Sequence, residues 1–440
     1  MAVQIPFATI SKVHQDAVVE DLFFTGLLQQ CQVDESAPQW LKDIRQESKN
    51  WLSSLSVPTR KDEDWRFIDL SSLTAGKFVT AGDNVGAIRE SPLPETQNSR
   101  LVFVNGVYNS ELSDVSGLPE GLYVGTLDSL PASYNAAEYF AKQPGTDAFT
   151  ALNTAGGKDV AVVWVGKNVA VETPVHLIFI ADGESSASFA QPRTLIVGET
   201  GSSISLIEEY SGRGEYFTNA VTEVFVKSNA RINHTRLQQE SEAGYHIGKT
   251  AISQARDSHY TISEINLGAK LFRHNPEAWQ QGEQTETNLN GLTVATGEQV
   301  SDTHSIIALT KPHGTTDQLH KCIVGDRAHT VFNGKVFVPK EAQLTNATQL
   351  NRNLMLSPKA RVDTKPELQI TADNVKCAHG ATVSQLEADE IFYLRSRGLS
   401  EAGANQLLID AFAAEIVDRI PIESLRNRIT QTIEQKVKHP

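Results

Sequence analysis

The chain has 440 residues, and its 53 acidic against 39 basic side chains give a formal net charge of -14 at pH 7. This length exceeds what one hydrophobic core usually supports, so we expect more than one packed unit. The negative charge argues against a nucleic acid partner, because such proteins gain affinity by neutralising phosphates. The longest apolar runs are strand-sized, far below the roughly 20 residues that cross a bilayer, so no membrane contact is expected.

The first region, residues 1–100, is predicted to be largely helical. Apolar side chains recur at helical spacing, as at Leu41, Ile44 and Trp51. Pro58 and a charged run then end this pattern. The opening residues contain neither a basic and apolar export signal nor an Arg-rich transit sequence, which predicts a cytoplasmic protein.

The second region, residues 101–383, consists of short β-branched runs and is predicted to be mainly β. Three runs that are polar on one face begin at Ile204, Ile232 and Tyr260, which are 28 residues apart each time. A period of this length without an intervening helix is typical of a parallel β-helix, in which each coil packs on its neighbours. A β-sandwich is the alternative, because the register drifts after about Gly291.

The third region, residues 384–440, is predicted to be helical. Gly398 stands at the end of a first helix, Ser400 can cap a second, and Pro421 precedes a third. Each helix has one apolar face. These faces either dock on the last β-coil of the chain, whose open end needs a cap, or receive a partner.

Cys377 and His379 form the most informative pair of side chains. They are two residues apart, so on an extended strand they share one face and can meet one ligand. Gly380 follows directly. The alternative is that Cys377 is a small buried hydrophobe and His379 a satisfied core residue.

The other histidines, cysteines and charged residues of interest are expected to have structural or surface roles. Their spacing is not that of a zinc finger, and no nucleophile with an oxyanion partner lies near them in the sequence. They are His313, His320, Cys322, His329, Asp302 with His304, and Arg273 with His274. Cys31, Cys322 and Cys377 form no CxxC pair, which fits a reducing compartment. The GRG at 212–214 lacks the lysine of a P-loop, and no nucleotide-binding fingerprint occurs.

A long gapless run resembles the signature segment of the SufB/SufD family: NLMLSPKARVDTKPELQITADNVKCAHGATVSQLEADEIFYLRSRG. Further matches are PTRKDEDWRFIDLSSL, LFRHN, LNGL and VFNGKVFVPKEAQLTNATQLNRN, so the resemblance covers nearly the whole chain. Departures from the family pattern are Asn374, Ala378 and Ser384, where Asp, Ser and Gly are usual. The resemblance implies a right-handed parallel β-helix core flanked by N-terminal and C-terminal helical regions. It also implies a complex of SufB, SufD and two copies of the ATPase SufC that builds iron-sulfur clusters.

Within the family the chain resembles the SufD branch. Leu350 stands where SufB proteins carry a cysteine associated with cluster building, and the length and the PTRKDEDW segment agree. The resemblance therefore implies a scaffold subunit that is not an enzyme. Two alternatives stay open: a SufB-like subunit that builds the cluster on its own thiolates, and a β-helix carbohydrate-active enzyme with carboxylates in a groove.

The resemblance also implies where this subunit acts. It places His379 at the contact with SufB, as a ligand in cluster assembly, with Cys377 as a second candidate. Imidazole can replace thiolate at iron, but a cluster needs about four ligands, so we expect one shared with SufB and none in the isolated chain. The contact with SufC is expected in the C-terminal helices, at Arg397, Gly398, Leu408 and Phe412. The sequence leaves open whether the complex binds a flavin and whether the isolated chain is a homodimer.

Overall fold

The structure is a computed structural model that describes residues 21–31, 36–80 and 92–437. Residues 1–20, the start of the predicted N-terminal helical region, lie outside the described residues. The helices are α1 (Leu22–Leu28), α2 (Gln39–Leu52), α3 (Ser71–Thr74), α4 (Ala148–Gly156), α5 (Ala388–Ser396), α6 (Glu401–Val417) and α7 (Glu423–Val437).

The described strands lie mostly between residues 100 and 384. They are β1 (Val79–Thr80), β2 (Arg100–Val104), β3 (Val107–Tyr108), β4 (Leu122–Thr126), β5 (Val160–Val165), β6 (Val175–Ala190), β7 (Arg193–Gly198), β8 (Ser203–Val226), β9 (Arg231–Gln239), β10 (Tyr245–Gln254), β11 (His259–Asn266), β12 (Leu271–Gln280), β13 (Glu286–Ala295), β14 (Val300–Ala308), β15 (Thr315–Val324), β16 (His329–Val338), β17 (Asn346–Met355), β18 (Arg361–Ile370) and β19 (Lys376–Ser384).

Strands alternate between two parallel ladders after β8. One ladder runs β8, β10, β12, β14, β16, β18, and the other runs β8, β9, β11, β13, β15, β17, β19. Ile204, Ile232 and Tyr260 are register partners, which confirms the 28-residue period. The later drift reflects turns that differ by a few residues while the ladders continue. The fold is therefore a parallel β-solenoid, and the sandwich alternative is wrong.

The GRG motif forms a corner of the solenoid. One continuous strand, β8, runs through it. Gly214 has φ +75°, and a Cβ there would lie 2.4 Å from the carbonyl carbon of Gly183 on the adjacent β6. Only glycine permits this approach, so β8 continues around the corner, where its pairing with β6 shifts register between Gly183 and Ser188.

The C-terminal helices do not cover the open end of the solenoid, which corrects the expectation that they dock on the last coil. α6 and α7 lie along the outer face of the ladder that contains β9 to β17, because that face carries its own apolar stripe. The two sets of side chains form one cluster: Ile207, Leu237, Ile265, Leu292, Leu319 and Ile323 on the strands, and Ile409, Ile416, Leu425, Ile429 and Ile433 on the helices.

The PTRKDEDW segment fastens the N-terminal region to the side of the solenoid. The Arg273 guanidinium lies 3.9 Å from the ring centroid of Trp65 and donates to Asp302 at 2.6 Å. The imidazole of His304, 3.5 Å from Asp64, lowers the pKa of that carboxyl to about 2. Arg273, Asp302 and His304 therefore hold the fold together at this place, as the sequence favoured.

Candidate functional site at the open last coil

The solenoid ends in two strands with free edges. Among the described strands, β18 pairs only with β16, and β19 pairs only with β17. All residues of β18 and β19 are partly or fully exposed, whereas the preceding strands are largely buried. A free edge presents a row of unpaired backbone N–H and C=O groups, which can pair with a strand of another chain.

Cys377 and His379 stand on the interior face of this last coil. Cys377 packs against the apolar cluster between the two ladders, above its register partner Ala347. His379, two residues further along the strand, lies on the same face and above Gln349. Because no further coil covers them, Cys377 is only half-buried and His379 is exposed.

The two side chains offer different donors. Burial raises the pKa of the Cys377 thiol, so this sulfur is protonated at neutral pH unless a cation or metal approaches. Among residues 21–31, 36–80 and 92–437, no group of three or more His, Cys, Asp or Glu side chains is placed to hold a metal ion. The last coil therefore presents two donors at most, and a metal bound there needs the remaining ligands from elsewhere.

The weaker candidates lie apart from the last coil. His313 is in an exposed turn with φ +62°, and Nε2 of His329 forms a 2.7 Å hydrogen bond with the Asp363 carboxylate. Cys322 and His320 are buried, and burial raises the pKa of the Cys322 thiol to about 12. Cys322, His320 and His329 are thus part of the folded solenoid, and His313 is a surface residue.

A column of buried polar side chains runs inside the solenoid, which the sequence analysis did not predict. Successive coils place Glu208, Arg236, Glu264, Gly291 and His320 in register. The glycine makes room for the imidazole of the next coil, since a Cβ at Gly291 would lie 2.0 Å from Nδ1 of His320. Burial lowers the pKa of His320 to about 4. At neutral pH the imidazole is thus uncharged.

The buried, uncharged His320 in this column predicts that the folded protein loses stability in acid. The pKa of His320 is about 4 in the fold and about 6.5 in the unfolded chain, so the unfolded state binds more protons between these values. Its contribution to stability is complete above pH 6.5 and is lost as the pH falls towards 4. We expect His320→Gln to reduce the drop in unfolding free energy between pH 7.5 and pH 5 by about 2 kcal/mol, measured by urea denaturation. His313→Gln, at an exposed site, should leave the drop unchanged; equal drops in both variants and the wild type would contradict the prediction.

The exposed apolar surface of the C-terminal region is on α5. Phe392 and Tyr393 are 74% and 57% exposed, and no residue of this helix is buried. The Arg397 guanidinium lies 5.3 Å from the ring centroid of Tyr393, and the exposed Gly398, φ +98°, ends the helix beside it. Leu407, early in α6, is also exposed.

The residues predicted to contact the ATPase fall into two groups. Arg397 and Gly398 belong to this exposed surface. Leu408 and Phe412 are half-buried on α6, and the Phe412 ring stacks under the Lys321 ammonium at 4.0 Å on the side of the chain's own solenoid. Phe392 and Tyr393 were not among the predicted contact residues, and their signal in the sequence is two adjacent aromatic residues in the first C-terminal helix.

Comparisons with known proteins agree with this geometry. A family model described as the SUF system FeS cluster assembly SufBD core domain matches residues 179–412, and a model of the SufBD protein N-terminal region matches residues 21–177. An iron-sulfur cluster assembly SufBD family protein of Synechocystis sp. is 47% identical over 97% of both chains. The chloroplastic protein ABCI7 of Arabidopsis thaliana is 37% identical, over 88% of this chain and 84% of its own. The iron-sulfur cluster assembly protein SufD of Escherichia coli is 31% identical, over 88% of this chain and 90% of its own.

Fold and site together define a β-solenoid protein that presents a histidine, a cysteine and free strand edges at one end. No helix in the described part of the chain has the length and apolar character to span a membrane. The chain belongs to the SufBD family of SUF-system iron-sulfur cluster assembly proteins, as the resemblance of its signature segment indicated.

Proposed function

We propose that the chain is the SufD-type scaffold subunit of an iron-sulfur cluster assembly complex, acting with SufB and the ATPase SufC and catalysing no reaction itself. The observation that carries this proposal is the open last coil with His379 and Cys377 on its interior face. Two donors cannot complete the coordination of a cluster, so the missing ligands come from the chain that pairs with the free edges. The cluster is then cargo of the shared site, and the isolated chain holds none.

The edges of β18 and β19 are the surface proposed for SufB. Adding strands there continues both ladders and satisfies their unpaired backbone groups. The new interface also covers His379, which removes water from the site. In the absence of SufB, the same edges can pair with a second copy of this chain, so we expect the isolated protein to form a homodimer.

The exposed surface of α5 is the surface proposed for SufC. Aromatic side chains and arginine are enriched at the energetically important centres of protein interfaces, and Phe392, Tyr393 and Arg397 lie together here. The three cysteines are free thiols, which fits a reducing compartment, and we place the complex in the cytoplasm.

The two alternatives have less support. A carbohydrate-active enzyme needs a pair of available carboxylates on a groove, whereas the buried Glu223 and Asp302 on the flank of the solenoid are bound by Arg193 and Arg273. A SufB-like builder needs a thiol where Leu350 stands. Leu350 instead packs against the apolar cluster under α6 and α7.

Co-expression with SufB and SufC tests the proposal. We expect the three chains to purify together with iron and sulfide bound, while the chain expressed alone is colourless and hydrolyses no ATP. The measurements are the mass of the complex, iron and sulfide content, and ATPase rate. Stoichiometric iron and sulfide on the isolated chain would favour the SufB-like alternative, and failure to associate with either partner would refute the proposal.

A further inference from the structure

Gln349 lies directly beneath His379 in the stack of coils. The two residues are register partners on β17 and β19 and belong to the interior face. Neighbouring strands are about 4.8 Å apart, so long side chains in register on one face are close enough to interact. Gln349 is thus the residue of the preceding coil that lies in register with His379 on the interior face.

The position of the Gln349 amide is fixed from below. The side chain is fully buried, and its Nε2 donates to Oε1 of Gln318 at 2.8 Å. Nε2 of Gln318 in turn donates to the Ser305 hydroxyl at 2.7 Å. Gly334 on the opposite ladder makes room for the Gln349 amide, because a Cβ at this glycine would lie 2.5 Å from Nε2 of Gln349. The donor end of this amide is therefore already engaged.

The acceptor end is free. Oε1 of Gln349 is buried and has no hydrogen-bond partner among the described residues. A buried amide oxygen without a donor is unfavourable, so such groups are usually satisfied. His379 has a ring N–H in either tautomer and stands in register above it.

We infer that Gln349 is a positioning residue for His379: when the exposed imidazole turns towards Gln349, the unpaired Oε1 accepts a hydrogen bond from one ring N–H and leaves the other ring nitrogen with its lone pair towards the shared site. This inference rests on the proposed function of His379. Histidines that bind metals commonly donate their second N–H to a carbonyl or carboxylate oxygen, which fixes the tautomer and the ring orientation. The hydrogen-bonded chain from Ser305 through Gln318 to Gln349 then connects the rigid solenoid to its open end.

The tautomer of His379 tests the hydrogen bond in the full isolated chain. Gln349→Met keeps the side-chain length and removes the acceptor, and Gln349→Glu restores an acceptor. Both variants lose the Nε2 donor to Gln318, so the difference between them reports the acceptor alone. Histidine ¹⁵N chemical shifts report the tautomer, with the His379 signal identified by its loss in His379→Ala. We expect the tautomer ratio to fall about fivefold in Gln349→Met, the factor for losing one ordinary hydrogen bond, and to recover in Gln349→Glu. Asn351→Leu, which removes the next interior amide of β17, in register with Ala381, should leave the ratio unchanged.

Iron binding tests the consequence. In the complex with SufB and SufC, iron retained against a chelator should fall about tenfold in Gln349→Met, as for other partners of metal-bound histidines, and recover in Gln349→Glu. An unchanged tautomer ratio in Gln349→Met overturns the inference. If that variant does not fold, loss of the dominant tautomer in Gln349→Glu overturns it instead. A changed ratio together with normal iron in His379→Ala refutes the proposed role of His379 and leaves the hydrogen bond standing, so the two failures are distinguishable.

Discussion

Replacing Phe392 and Tyr393 by serine is expected to abolish co-purification of SufC while the chain still folds and binds SufB. The two aromatic side chains are 74% and 57% exposed, so their removal costs little in the isolated chain. Buried at an interface, each such anchor contributes on the order of 2 kcal/mol or more, and losing two weakens binding by at least about a thousandfold. The measurement is SufC recovered with tagged variant and wild-type chains, together with their thermal midpoints.

A matched control is Leu22→Ser, which removes another exposed apolar side chain, on α1. SufC recovery should not change in this variant. Equal SufC binding by the Phe392→Ser, Tyr393→Ser variant and the wild type would remove α5 from the interface. Arg397→Ala, which deletes the cation beside Tyr393, should give an intermediate loss.

Deleting all residues after Gly398 is a less informative test than these substitutions. The deletion removes α6 and α7, whose apolar side chains cover Leu237, Ile265 and Leu292 on the outside of the solenoid. Uncovering this stripe is expected to cause aggregation, and loss of SufC binding would then follow from misfolding. The sequence alone shows an apolar face on each helix but not the stripe that this face covers, so this cost of the deletion is visible only in the structure.

The repeat made most of the fold predictable from sequence. A constant spacing of 28 residues at Ile204, Ile232 and Tyr260 fixes register, because each coil must bring equivalent side chains into one stack. The short helix α4 was missed, although Asp147 caps it by accepting from the N–H of Thr150. Its apolar residues lie inside a region of β-branched runs, and that local pattern outweighed a single capping signal.

The contacts at the site were less predictable than its residues. The spacing of Cys377 and His379 gave their common face, but spacing along one strand does not tell which face meets the core or whether another coil covers it. The register pairing of His379 with Gln349 joins residues that are 30 positions apart in the sequence. This link depends on the length of one turn, and turn lengths vary most in the last coils.

Replacing His379 by alanine is expected to leave the complex with SufB and SufC assembled and to lower its iron and sulfide content at least about tenfold. The side chain is exposed and packs against no core, so the fold does not depend on it. One imidazole is also a small part of an interface that, if stable, buries more than about 1,000 Å². A cluster that loses one ligand, by contrast, has an open coordination position and is readily lost.

Complex mass and iron content must be measured on the same preparation of the His379→Ala variant, because only their combination separates a ligand from a structural residue. His313→Ala, at an exposed histidine away from the last coil, is the control and should retain normal iron. An intact complex with normal iron would remove His379 from cluster assembly. A dissociated complex would show that the imidazole supports the SufB contact itself. Cys377→Ala should have a smaller effect than His379→Ala, since this half-buried thiol has a raised pKa and becomes a ligand only when a metal displaces its proton.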